Sequence, residues 1–289
     1  KHSNKNSTLP ILALLASAIL WGLIWYPYRL LSEAGVSGLM ASFITYGLAL
    51  LIGMPFYFKA LRTLRGNLWL LVAIVFSSGW TNIAYVLAVI DGEIMRVMLL
   101  FYLAPLWTIV FSRLILGERL GRGGYLVMLL SLCGAIIMLW QPGGRLPLPA
   151  NWAEWMGLSA GFSFALTNVL SRHASDVSIE AKSLGVWLGA TLISLPVLLL
   201  QPGSFAGLAN LGPMVWGSLI LVAFAMLGVT LFIQYGLIHV PANRAIVILL
   251  FELVVSALSA YFLAGEFLYG KEWLGAAMIV VASLFSGHM

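Results

Sequence analysis

The sequence predicts an all-α membrane protein: ten transmembrane helices in a 5+5 inverted-topology repeat around a central cavity, both termini cytoplasmic. Three observations carry that prediction. Ten apolar segments are separated by short polar joints, basic residues gather at alternate joints, and a corner of similar character recurs in each half. Composition agrees, with 62% of the 289 residues hydrophobic and 9% charged. A soluble domain of this length has no way to hide so many segments on all faces.

The segments, taken in order, each span a hydrocarbon core of roughly 30 Å at about 1.5 Å of helical rise per residue. Pro10–Leu31 places Ser17, Trp21, Trp25 and Tyr28 at successive turns, and Pro27 marks a kink. Gly38–Phe58 contains Pro55. Leu68–Ile90 carries Ser78, Asn82 and Tyr85 at i, i+4 and i+7, one helical face. Met95–Leu116 holds Tyr102 and Pro105 near its middle, and Gly123–Trp140 holds the lone Cys133, read as a small buried hydrophobe. In the second half, Trp152–Arg172 offers Ser163, Thr167 and Asn168, Ser183–Leu200 contains Pro196, and Pro213–Ile238 offers Thr230 and Gln234. Asn243–Ala264 carries Glu252, Ser256 and Ser259 on one face, and Glu272–Gly287 closes the set. The domain division is a tail at 1–9, a first five-helix repeat at 10–140, a connecting loop at 141–151 and a second repeat at 152–289.

Orientation follows from charge. With the N-terminus inside, that side collects Lys1, Lys5, Lys59, Arg62, Arg65, Arg113, Arg119, Arg122, Arg172, Lys182 and Arg244, against Arg29, Arg96, Arg145 and Lys271 outside. This is the positive-inside pattern. The net charge of +5 therefore reports topology; no basic, aromatic-interleaved surface suggests nucleic acid.

The halves share punctuation. Leu116-Gly117-Glu118-Arg119-Leu120 and Ala264-Gly265-Glu266-Phe267-Leu268 pair when Arg96 is laid on Arg244. An odd number of helices per half makes the second half enter from the opposite side, the arrangement in which transporters place a midplane site between repeats. The register departs at one point: Glu252-Leu253 stands where the first half has Ala104-Pro105, so the proline is not duplicated.

Ala18-Ile19-Leu20-Trp21-Gly22, the two Gly-Glu-x-Leu corners, Pro105, and Trp273-Leu274-Gly275-Ala276-Ala277 resemble the EamA family of the drug/metabolite transporter superfamily. The resemblance runs over almost the whole chain and is nearest to the aromatic amino acid exporter branch. It implies a secondary transporter of the bacterial inner membrane, working by alternating access and exporting its cargo. Nothing in the residues themselves sets direction.

Glu252 is the only carboxylate at mid-span depth, where a charge costs about 2.5–3.5 kcal/mol. It is placed to meet the ammonium of a zwitterionic substrate or to carry a coupling proton; the bland alternative is a neutral, hydrogen-bonded packing residue. The stripes Ser78/Asn82/Tyr85, Thr167/Asn168 and Thr230/Gln234 serve equally as substrate contacts or interhelical glue, the latter worth about 0.6 kcal/mol per bond. Trp21, Trp25 and Tyr102 offer rings for stacking against an aromatic or apolar side chain. Trp80 and Trp107 also lie near span centres, whereas Trp69, Trp140, Trp152, Trp155, Trp216 and Trp273 read as an interfacial belt. Pro105 is the candidate gate or hinge.

No catalytic set, cofactor site or metal site is expected. His2, His173, His239 and His288 sit at termini or membrane edges, and no HExxH, P-loop or GxSxG motif occurs. The partners expected are a small-molecule substrate, the lipid bilayer and a coupling proton. The function expected is movement of a small zwitterionic metabolite, aromatic amino acids favoured. The alternatives are a transporter of another apolar metabolite or drug, and a membrane-embedded enzyme acting on lipid or isoprenoid.

Overall fold

A computed structural model describes residues 8–62, 67–92, 94–140, 148–201, 203–206, 208–265 and 268–288. Lys1, Lys5, Arg65, Arg145, Glu266 and Phe267, used above for orientation and for the repeated corner, lie outside the described residues. Every regular element among the described residues is helical. Eight helical units are long and apolar enough to cross a membrane, among them Thr8–Glu33, Arg96–Leu116 and Ala242–Ala264.

The first half comprises α1 (Thr8–Leu23), α2 (Trp25–Glu33), α3 (Gly38–Arg62), α4 (Leu68–Asp91), α5 (Ile94–Phe101), α6 (Ala104–Phe111) and α7 (Arg122–Leu139). The second comprises α8 (Trp152–His173), α9 (Ile179–Leu200), α10 (Pro213–His239), α11 (Ala242–Leu249), α12 (Phe251–Ala264) and α13 (Gly270–Phe285). Two predicted spans fall outside the eight. The α13 helix is only 16 residues long, and α8 carries Glu154, Arg172 and His173. Polarity suits α8 because protein surrounds it: thirteen of its residues, from Ala153 to Ser171, are buried.

Local chemistry sets the helix starts and stops. Asn67, Asn151 and Ser178 accept backbone N–H bonds from Trp69, Glu154 and Ala181 at the starts of α4, α8 and α9. Gly117 (φ 68°) and Gly265 (φ 67°) end the fourth and ninth helical units in the left-handed conformation that a side chain would strain. These are the glycines of the two matching corners. Pro55 and Pro196 sit inside α3 and α9 without ending them.

The halves interlock. Helix α4 packs on α8 and α9, while α10 packs on α1 and α3; α5 and α6 lie against α8, while α11 and α12 lie against α1. Helix α3 meets α9, and α7 meets α13. Exchanging the two halves turns each of these pairings into another of them or into itself. The exposed apolar residues, including Phe56, Phe76, Leu129, Leu221 and Phe262, form the outer surface, as lipid requires and water would oppose. Of the predicted belt, Trp69, Trp152, Trp155, Trp216 and Trp273 are exposed, while Trp140 is partly covered and its carbonyl accepts a bond from Lys271.

Ion pairs tie helix ends together. Glu118 pairs with Arg172 at 2.5 Å and accepts the Ala242 N–H at 3.0 Å, and Arg172 also donates to the carbonyls of Leu237 and Ile238. One carboxylate thus links the end of the first-half corner to α8, α10 and α11. Arg96 pairs with Glu154 at 3.1 Å and donates to the Leu148 carbonyl.

Candidate functional site

Two helices break at matching positions. In the first half the chain leaves α5 at Tyr102–Leu103 and re-enters a helix at Ala104. Pro105 suits the break: with no N–H, it leaves the Phe101 carbonyl without its helical partner. In the second half the break falls at Leu250, the position that pairs with Tyr102 when Arg244 is laid on Arg96. No proline stands there; the turn closes instead by a tightened bond from the Leu253 N–H to the Leu250 carbonyl at 3.0 Å. The break is therefore duplicated although its proline is not.

Glycine lets the neighbours close on both breaks. A Cβ on Gly161 of α8 would collide with the Phe101 carbonyl, and one on Gly22 of α1 would lie 2.8 Å from the Glu252 carbonyl. The third broken unit, α1–α2, bends at Ile24, three residues before Pro27.

The two breaks bring chemistry together. Glu252 lies in the first turn of α12, and the Tyr102 hydroxyl, from the break of the other half, donates to its Oε1. Tyr85 of α4 lies within charge-interaction range of Glu252. Its ring meets Phe101 edge-on at 5.1 Å, and Phe101 meets Tyr102 at 5.2 Å and Phe164 at 5.5 Å. A carboxylate, two phenols and two phenyl rings from α4, α5, α8 and α12 therefore share one location. Among the described residues Glu252 has no ion pair. Phe101 and Phe164 went unmarked in the sequence, because a phenylalanine in an apolar span gives no signal of its own.

The other predicted residues divide. Trp25 donates to Ser259 Oγ at 2.8 Å, fastening α2 to α12, and Ser259 in turn bonds the carbonyls of Ser256 and Gly22. Trp21 packs instead against the buried cluster that contains Tyr46, Trp187 and Met226, away from the Trp25–Ser259 tie. Thr167 donates to Ser77 Oγ at 2.8 Å, Ser78 bonds the Val75 carbonyl, and Thr230 accepts from the Trp187 indole at 3.0 Å. These three bonds are structural ties. In contrast, Asn82 Oδ1, Asn168 Nδ2 and Gln234 Oε1 are buried with no partner, although Gln234 does donate to Ser171. Buried polar atoms of this kind call for an occupant that can bond them. Asn82 also lies against the Tyr46 hydroxyl, a residue the sequence reading passed over. Trp80 is 43% exposed and bonds Ser159, and Trp107 stacks edge-on with Phe162, so neither joins the Glu252 group.

Two cavities open at the ends of the helices, of about 310 Å³ beside Gly35, Met40, Gln201 and Ser204 and about 210 Å³ beside Arg113, Arg119 and Asn243. Neither is lined by a residue of the predicted set.

The helical shell and the apolar exterior define an integral membrane protein. The model of the EamA-like transporter family matches this chain twice, at residues 8–140 and 151–287, and the chain belongs to that family. An uncharacterized transporter of Archaeoglobus fulgidus is 28% identical over 95% of this chain and 94% of its own length. Protein RarD of Escherichia coli is 22% identical over 62% of this chain and 59% of its own. A riboflavin transporter of Rhizobium johnstonii is 26% identical over 85% and 79%. A solved crystal structure superposes with a TM-score of 0.77 at 17% identity, covering 96% of both chains, which shows the fold.

Proposed function

We propose that this protein is a secondary transporter of ten spans that moves a small zwitterion bearing an aromatic ring, aromatic amino acids first, by alternating access. The observation that carries the reading is the Glu252–Tyr102 hydrogen bond with Tyr85 and Phe101 around it, at the meeting of the two broken helices. The carboxylate receives the substrate ammonium, or a proton in its absence, and the rings receive the aromatic side chain. Thr167, Ser78 and Thr230 hold the walls, while Asn82, Asn168 and Gln234 present bonding atoms along the passage; Trp21, Trp25 and Ser256 lie around the bend that borders α12.

The duplicated family match and the interchangeable helix pairings support the inverted repeat. With an odd number of spans per half, the basic residues on the side of Glu118 and Arg172 put both termini in the cytoplasm. The break beside Pro105 is the hinge, and export from a bacterial inner membrane follows from the branch that the sequence resembles. A second reading has a specific observation behind it: the relative named as a riboflavin transporter favours a larger flat heteroaromatic cargo. A binding panel separates the two. Purified protein titrated with phenylalanine, tyrosine, tryptophan, alanine and riboflavin should be stabilised most by the aromatic amino acids. Stabilisation by riboflavin alone would support the second reading, and none by any of the five would set both aside.

A further inference from the structure

We propose that the pocket at the arginine-rich end of α6 and α7 binds the phosphodiester headgroup of a membrane phospholipid. Residues 112–116 form a π turn, and Gly117 then reverses the chain, so the helix end is widened where the pocket forms. The cavity, of about 210 Å³, is lined by Arg113, Glu118, Arg119, Asn243, Tyr125 and Ile109 among others.

The charges do not cancel. Glu118 is committed to Arg172 and to the Ala242 N–H, whereas neither Arg113 nor Arg119 has an ion pair among the described residues. Asn243 is 3% exposed; its Nδ2 donates to Ser112 Oγ at 2.8 Å, and its Oδ1 has no partner. The lining therefore offers two guanidiniums and one buried acceptor. Two guanidiniums suit a phosphate. The acceptor suits a donor carried just beyond that phosphate, a glycerol hydroxyl or an ethanolamine ammonium.

The surroundings say why the phosphate belongs to a lipid. Leu106, Val110 and Leu114 are exposed at i, i+4 and i+8, the last by 75%, and lead along one helical face to the pocket. Leu126 and Leu129 are exposed on α7 beside Tyr125. Acyl chains lie on that band while the headgroup reaches the arginines, the arrangement of basic headgroup pockets between transmembrane helices.

Native mass spectrometry of the detergent-purified chain tests this with phosphatidylglycerol, phosphatidylcholine of the same acyl chains, and inorganic phosphate as competitor. Wild type should retain phosphatidylglycerol in preference to phosphatidylcholine, which has the phosphate but lacks the donor. Arg113→Gln/Arg119→Gln, both at exposed positions, should weaken phosphatidylglycerol binding about thirtyfold. Asn243→Ala should reduce the preference between the two lipids to the part that the arginines supply through the net negative charge of phosphatidylglycerol. Equal retention of phosphatidylglycerol by wild type and the double variant would overturn the proposal. Displacement of phosphatidylglycerol by millimolar inorganic phosphate would also overturn it, reassigning the pocket to a soluble anion.

Discussion

Glu252 and Tyr102 come from different halves of the chain, 150 residues apart, and meet through one hydrogen bond. The sequence marks Glu252 plainly, because a carboxylate at mid-span is costly, but it pairs the acid only with serines on its own helix. The phenol was legible as a central ring and not as the acid's partner, since a contact across the repeat has no signature in spacing. Glu252→Gln keeps the shape and removes the charge, so affinity for phenylalanine should fall about tenfold or more in a binding titration, as loss of a charged hydrogen bond requires. Tyr102→Phe should leave the fold intact and weaken phenylalanine binding severalfold, because it removes the hydroxyl that donates to the carboxylate. Unchanged affinity in both variants would reduce the pair to an interhelical tie.

At the scale of the element, the breaks matter more than the proline. The sequence places a kink at Pro105 and predicts none at Leu250, because only the proline carries a visible cause. The second break arises from tertiary packing: α1 presses on α12 at Gly22, as α8 presses on Phe101 at Gly161. Pro105→Ala should therefore keep the break and retain at least half of the transport rate. Gly161→Val should lower thermal stability and abolish transport, because its side chain meets the Phe101 backbone with no room to yield. The opposite ranking, with Pro105→Ala inactive and Gly161→Val normal, would show that the proline and not the packing sets the hinge. The corners were the most readable elements: the paired Gly117 and Gly265 end their helices where the sequence repeats its punctuation, whereas the caps Asn67, Asn151 and Ser178 went unmarked. Helix α8 was least like a membrane span, and burial within the protein explains its polarity.

On the scale of the whole molecule, the exchangeable helix pairings and the two family matches give the chain its two halves. Residues joined by the Glu118–Arg172 network should share one side of the membrane. In a Cys133→Ser background, a cysteine at Arg122 should react with an impermeant thiol reagent only from the cytoplasm, and one at Ala206 only from outside. Labelling of both from one side would remove the inverted arrangement. In the proposed function that arrangement matters, because rocking of one half against the other would expose the Glu252 group to each side in turn. The most direct measurement is counterflow. Proteoliposomes loaded with unlabelled phenylalanine should accumulate labelled phenylalanine above its equilibrium level and then release it, and those carrying Glu252→Gln should show a much smaller overshoot. No overshoot above protein-free liposomes, for phenylalanine, tyrosine or tryptophan, would contradict the account.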